Sequence, residues 1–219
     1  GAPLDTPLNK KSDKIISQNG TISVGASPPW APVDGQPQVA APTEIVPTEN
    51  SAESPKQLNS EQSHALNHIL DALNTYHCFL LQGITGSGKT EVYLQAVQAV
   101  LNAGKQVLIL VPEIGLTPQL LERFEKRFSA HSHEHSQQFP IVLMHSGLND
   151  TERWRAWCQA RTGAAKIIIG TRSAVFVPMP DLGLIVIDEE HDGSFKQQDS
   201  LRYSARDTAI VRAQMQQIP

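Results

Sequence analysis

The chain is poor in cysteine, in aromatic residues and in excess charge, and it has no long apolar run. Each shortage excludes something. Two cysteines in 219 residues, Cys78 and Cys158, lie far apart with no C-x-x-C pair, which rules out a cysteine zinc knuckle and a disulfide framework. Both are expected to be reduced, half-buried core residues. Aromatic residues make up only 5%, and 18 Lys and Arg stand against 22 Asp and Glu for a formal charge of −4. Bulk electrostatics therefore give no reason to expect a nucleic-acid partner, and any such contact has to be local. The longest apolar runs, such as 107–111, fall far short of the ~20 residues of a membrane helix, and the N-terminus has no signal-peptide pattern. The expectation is a cytoplasmic chain with no membrane partner.

Proline is plentiful but unevenly spread, with nine of the fifteen falling in residues 1–57 beside a single aromatic, Trp30. That stretch shows neither helical nor strand periodicity and cannot bury enough apolar surface to offset its ordering entropy. It is expected to be a disordered linker acting as a tether. Residues 58–219 read differently. Ser60 is a plausible N-cap ahead of Leu66, Ile69, Leu70 and Leu73 at helical spacing. Short apolar runs at 79–81, 107–111, 141–143, 167–169 and 184–187 read as buried strands. Amphipathic segments at 89–103, 118–128 and 150–161 lie between them, the first closed by Gly104. A last helix is expected from Ser204, at capping-box spacing from Asp207, to about Gln217. Alternating units of this kind predict an α/β fold, a parallel sheet with helices on both faces. The histidine-rich stretch 131–138 reads as a lengthened surface loop. Its three alternating histidines lack an evident fourth ligand, so no metal is assigned there.

The sharpest signal is Gly83-Ile-Thr-Gly-Ser-Gly-Lys-Thr90, which satisfies G-x-x-x-x-G-K-[ST] between an expected strand and an expected helix. Gly86 and Gly88 let the backbone wrap a polyphosphate, and the helix that follows aims its N–H groups at the same place. Lys89 adds a positive charge for the β and γ phosphates, and the Thr90 hydroxyl is placed to ligate Mg²⁺. Gly83, Thr85 and Ser87 complete the candidate ATP-binding loop of a P-loop NTPase. Nucleotide-bound Mg²⁺ needs an acidic partner, and hydrolysis needs a residue to position water. The run 184–191, Leu-Ile-Val-Ile-Asp-Glu-Glu-His, supplies both at a strand's C-terminal end. Asp188 is assigned to Mg²⁺ and Glu189 to the attacking water, with Glu190 and His191 as coupling residues.

Asp-Glu-Glu-His after Gly-Ser-Gly-Lys-Thr resembles the DExH group of superfamily two helicases. The strings LLQGITGSGKTEVYL, VPEIGLTPQLLERF, HSGLNDTERW, IIIGTRSAVF, LIVIDEEHDGSFKQQ and RYSARD are similar, in order, to the PriA family of replication-restart helicases. The resemblance covers 58–219 and implies the first RecA-like lobe of a DNA-unwinding motor, with ATP and Mg²⁺ as cofactors and no zinc in this stretch. It implies forked or single-stranded DNA, primosome proteins and single-strand-binding protein as partners.

Carried over by position, Gln62 would read the adenine edge, or else be a helix-surface glutamine. Thr117, Thr171, Arg172 and Ser173 would meet DNA phosphates, or else serve loop and capping chemistry. In the aromatic-rich loop, Phe195 and Tyr203 would stack on bases while Lys196, Arg202 and Arg206 meet phosphates. The alternative is that the two rings anchor the connection to the last helix. The sequence stops before the family's next motif and its second lobe. Since an arginine finger typically contributes ~10³–10⁵ in rate, this chain alone is expected to turn ATP over very slowly. Two competing readings are a RecG-like or restriction-type translocase lobe and a non-hydrolysing nucleotide- or partner-binding module. Intact Lys89, Asp188 and Glu189 favour a working ATPase.

Overall fold

A computed structural model describes residues 55–84, 86–128, 139–199 and 201–219. The expected linker up to residue 54, the histidine-rich stretch 131–138 and the loop residue Thr85 lie outside the described residues.

The chain enters through helix α1, Ser60–Asp71, whose N-cap is Asn59 rather than Ser60. The Asn59 side chain accepts from the Gln62 N–H at 2.8 Å, and Gln62 Oε1 accepts from the Asn59 N–H at 2.9 Å. This reciprocal capping box displaces Ser60 into the first turn. The elements that follow are α2 (Lys89–Asn102), β1 (Gln106–Leu110), α3 (Pro118–Phe128), β2 (Ile141–Met144), α4 (Asp150–Arg161), β3 (Ile167–Gly170) and β4 (Leu182–Ile187). A two-stranded ribbon of β5 (Lys196–Gln197) and β6 (Tyr203–Ser204) then leads into α5 (Ala205–Gln216). Ser204 is the N-cap of α5, accepting from the Asp207 N–H, and Gly104, at φ +78°, follows the C-terminus of α2 as expected.

Strands β1 to β4 form one parallel sheet in the order β2-β3-β1-β4. Their side chains alternate between two apolar layers. Val107, Ile109, Ile167, Ile169 and Leu184 pack under α1, α2 and α3, while Leu108, Leu110, Ile168 and Leu182 pack under α4 and α5. Both faces are covered, which is why the strands read as continuous apolar runs. Among the described residues, one polar side chain, Gln106, is fully enclosed. Gln106 donates to the Ala160 and Ala165 carbonyls and accepts from the Asp181 N–H, so its amide is satisfied while it ties β1 to the end of α4.

One expected strand is not a strand. Residues 79–81 are irregular, with Phe79 42% and Leu80 73% exposed. A strand exists only through a partner for its N–H and C=O groups. The nearest candidate edge, that of β4, is separated from this segment by a cleft of about 1000 Å³. Outside the sheet, Ile185 N–H donates to the Pro219 carbonyl at 3.1 Å. Cys78, beside this segment, is consequently exposed rather than half-buried, whereas Cys158 is half-buried as expected; both are free thiols.

Because the four strands are parallel, their C-terminal ends share one edge. The loops after β1, β2, β3 and β4 follow one another along it, which is where open α/β sheets bind ligands.

Candidate functional site: a phosphate loop facing an acidic strand end

The phosphate loop is built by conformations that only glycine takes without strain. Gly86 and Gly88 sit at φ +82° and +84°. A Cβ on Gly88 would lie 2.5 Å from Gln62 Nε2, while one on Gly86 would meet nothing within 4 Å. Gly88 is thus needed for close packing and Gly86 for the turn that leaves the loop's inner side open. The contact at Gly88 also locates Gln62. Its Nε2 donates to the Ser87 carbonyl at 2.8 Å and its Oε1 serves the α1 capping box, so Gln62 is part of the loop's support rather than a free helix-surface residue. Lys89 is folded back over the loop, Nζ donating to the Gly83 carbonyl at 2.6 Å and to that of Ile84 at 3.1 Å. Lys89 itself opens α2, whose N-terminus is the positive end of the helix dipole.

Across the cleft, Asp188 follows directly after β4. Its N–H donates to the Leu110 carbonyl at 2.9 Å, extending the ladder by one residue. Its carboxylate has a donor on each oxygen, with Tyr93 Oη donating to Oδ2 at 3.1 Å and the Glu189 N–H to Oδ1 at 3.1 Å. Burial and the Asp188 charge push the Tyr93 phenol well above its ordinary value, so it stays a donor. Glu189 adopts φ +50°, a left-handed position uncommon outside glycine. The turn sends its carboxylate outward, 59% exposed, with His191 Nδ1 at 3.8 Å. Glu190 takes another direction and pairs with Arg206 at 3.1 Å. Lys89 and Tyr93 on one side and Asp188 and Glu189 on the other line the same cleft.

The expected DNA-facing residues are distributed along the same edge but not as a free set. Thr117 Oγ1 accepts from the Leu120 N–H at 3.2 Å and so caps α3. Thr171 is buried directly after β3, and Ser173 is exposed. Arg172 Nη1 donates to the carbonyls of Ser194 and Lys196 at 3.1 and 3.3 Å, lashing the aromatic-rich loop to the sheet edge. Phe195 corrects its stacking assignment, since only 2% of it is exposed and it belongs to the α4–α5 side of the core. An enclosed ring has no face to offer a base. Tyr203 is half-buried and meets Phe176 edge-on at 4.9 Å. Lys196 and Arg202 are exposed. Arg206 is engaged with Glu190 and Asp207, and these partners raise its pKa further.

Two links were not foreseen from the sequence: Tyr93 to Asp188 and Arg206 to Glu190. The only sequence signal for Tyr93 is a lone hydroxyl on an otherwise apolar helix face, one turn after Thr90.

The DEAD/DEAH box helicase family matches residues 59–218 of this chain. The chain belongs to that family. Among curated proteins, this helicase sequence is 51% identical over 164 residues to the replication restart protein PriA of Haemophilus influenzae, covering 75% of this chain and 21% of that one. To PriA of Synechocystis sp. it is 48% identical, covering 79% and 20%, and to PriA of Bacillus subtilis 42%, covering 75% and 20%. The chain thus spans about a fifth of the length of these relatives. Among solved structures, RecG bound to a three-way DNA junction is similar with a TM-score of 0.52 and 26% identity, covering 70% of this chain and 20% of that one.

Helicases of a DEAD/DEAH type imply a nucleotide with Mg²⁺, and the donor set fits one. The loop combines left-handed glycines, an ammonium and a helix N-terminus for phosphate. The opposite wall offers a carboxylate oriented by two donors and a second, outward carboxylate. Thr90 and Asp188 are the residues that would hold Mg²⁺, which when bound neutralises phosphate charge and polarises the transferring group.

Proposed function

We propose that this chain is the ATP-binding lobe of a PriA-type motor that acts on forked or single-stranded DNA during replication restart. The observation that carries the reading is the meeting of the phosphate loop with Asp188 and Glu189 across one cleft, residues 95 apart joined by the Tyr93–Asp188 hydrogen bond. Identities of 42–51% to PriA proteins support the restart assignment over a RecG-type one, for which the likeness is 26%.

In this reading Gly83, Thr85, Gly86, Ser87 and Gly88 cradle the phosphates, and Lys89 leaves the Gly83 and Ile84 carbonyls to meet the β and γ phosphates. Asp188 with Thr90 orients Mg²⁺, and Glu189 holds the attacking water and takes its proton. Gln62, already at the loop, exchanges a backbone partner for the adenine edge. DNA runs along the edge of the sheet past Thr117, Thr171, Arg172 and Ser173, with Tyr203 and Arg206 beside it. Glu190 and His191 transmit its presence, because Arg206 pairs with Glu190 next to the residue that handles water. Primosome proteins and single-strand-binding protein are the partners in this reading, in the cytoplasm.

The test is equilibrium binding of a fluorescent ATP analogue with Mg²⁺ to this chain and to Lys89→Ala. Loss in the variant, with unchanged circular dichroism, is the expected result. Equal binding by both would remove the phosphate loop from the site.

A further inference from the structure

Tyr93 is placed where packing alone does not explain its hydroxyl. The ring is 7% exposed and lies nearly parallel to Phe124 of α3, with centroids 6.5 Å apart and planes at 17°. Val92, Leu94, Ala96 and Val97 around it on α2 are apolar and buried, so a phenylalanine would satisfy the same cavity. The hydroxyl adds one polar contact, donating to Asp188 Oδ2 at 3.1 Å. Thr90 lies one turn earlier on the same face of α2. The Tyr93 hydroxyl therefore ties the helix that carries Thr90 to Asp188, and Thr90 and Asp188 are the two residues that the proposed reading gives to Mg²⁺.

From this juxtaposition we infer that Tyr93 is a positioning residue for the divalent cation. Its hydroxyl holds the Asp188 carboxylate, across the cleft, in register with the Thr90 hydroxyl. The inference rests on the ATP–Mg²⁺ reading of the site. The physical case is one of preorganisation. A carboxylate at the end of a strand rotates about two single bonds, and a donor on each oxygen, Tyr93 Oη on Oδ2 and the Glu189 N–H on Oδ1, fixes its plane. Each oxygen retains a second lone pair for a cation. The link also couples the phosphate-loop helix to the end of β4, so the two halves of the cation site move as one body. Loss of the hydroxyl leaves Asp188 free to turn, and ordering it again costs part of the metal's binding energy.

Tyr93→Phe separates this role from packing, because it deletes one oxygen and keeps the ring. The measurement is binding of a methylanthraniloyl-labelled ADP to this chain as a function of Mg²⁺, with a parallel titration in EDTA. The expected result is that the Mg²⁺ concentration giving half-maximal enhancement rises about threefold to tenfold in Tyr93→Phe, the range of one net hydrogen bond. Binding in EDTA stays at the parent's level. In an Asp188→Asn background the same substitution adds nothing.

Three results would overturn the inference: an unchanged Mg²⁺ dependence, whatever happens to the melting temperature; an equal loss with and without Mg²⁺; or a full additional effect in the Asp188→Asn background. Failure of the underlying reading looks different. There the parent shows no Mg²⁺ enhancement, or Lys89→Ala binds nucleotide as the parent does, and the positioning role falls with it.

Discussion

The phosphate loop and the first residues of the segment from Asp188 to Ser204 border one cleft, yet loop and segment are held in opposite ways. The loop is exposed and buries no apolar side chain of its own; Ile84 is 83% exposed. Its restraints are a few polar contacts, Gln62 to Ser87 and Lys89 to Gly83 and Ile84. The opposite segment is pinned through the core by Phe195, by the Phe176–Tyr203 contact and by the two hydrogen bonds from Arg172. Polar contacts can be exchanged for ligand contacts at little net cost, whereas buried apolar area cannot. On the proposed function, the loop is the side that can rearrange around a ligand, and the acidic side offers it a fixed wall.

This contrast can be broken first at Phe195. Phe195→Ala is expected to lower stability by about 3–5 kcal/mol in denaturant unfolding, by lost burial plus a cavity. A loss below about 1 kcal/mol would mean that the segment is not pinned through its ring. On the loop side the expectation reverses. Lys89→Ala is expected to weaken nucleotide binding at least ~tenfold, the scale of a charge-assisted contact, while the unfolding midpoint stays within error of the parent's.

Arg172→Ala sharpens the comparison at intermediate size. Losing both carbonyl contacts is expected to cost about 1–2 kcal/mol and to open a limited-proteolysis site near residues 196–199 that the parent lacks, read by mass spectrometry. Asn59→Ala tests the support behind the loop. The capping box holds Gln62 Oε1, so about 1 kcal/mol of stability should go, together with a small loss of nucleotide affinity.

The smallest effect concerns acid. The Ser194 side chain and then its backbone N–H hold the Asp192 carboxyl below its ordinary value of 3.8. A depressed folded pKa stabilises above the unfolded value and is lost as pH falls through the folded one. Asp192→Asn should therefore lower stability slightly at pH 7, where the carboxylate's contribution is present, and flatten the acid limb so that the two melting curves converge below about pH 4.

Much of the fold was legible because its signals are short-range. Four apolar runs became the four strands of the sheet, and the amphipathic segments at 118–128 and 150–161 became helices with those bounds. The run at 79–81 looked the same by composition and failed, since it has no ladder partner among the described residues. Phe195 and Tyr203 could be read as base-stacking rings or as anchors. Burial decided for the anchor at Phe195, because which aromatic points inward depends on where α4 and α5 close over the sheet.

What the sequence by itself determined is therefore local. It held the left-handed glycines of the phosphate loop, the lysine and threonine that open α2, the carboxylates at the end of an apolar strand and the cap of α5. Backbone conformation, side-chain period and capping all act within a few residues, so they are written in adjacent letters. The tertiary structure alone decided that Tyr93 meets Asp188, that Arg206 meets Glu190, that Arg172 ties down the loop after β4 and that Phe195 is enclosed. Those contacts join residues distant along the chain, and their geometry is set by how helices stack on a twisted sheet, which no short window of sequence specifies.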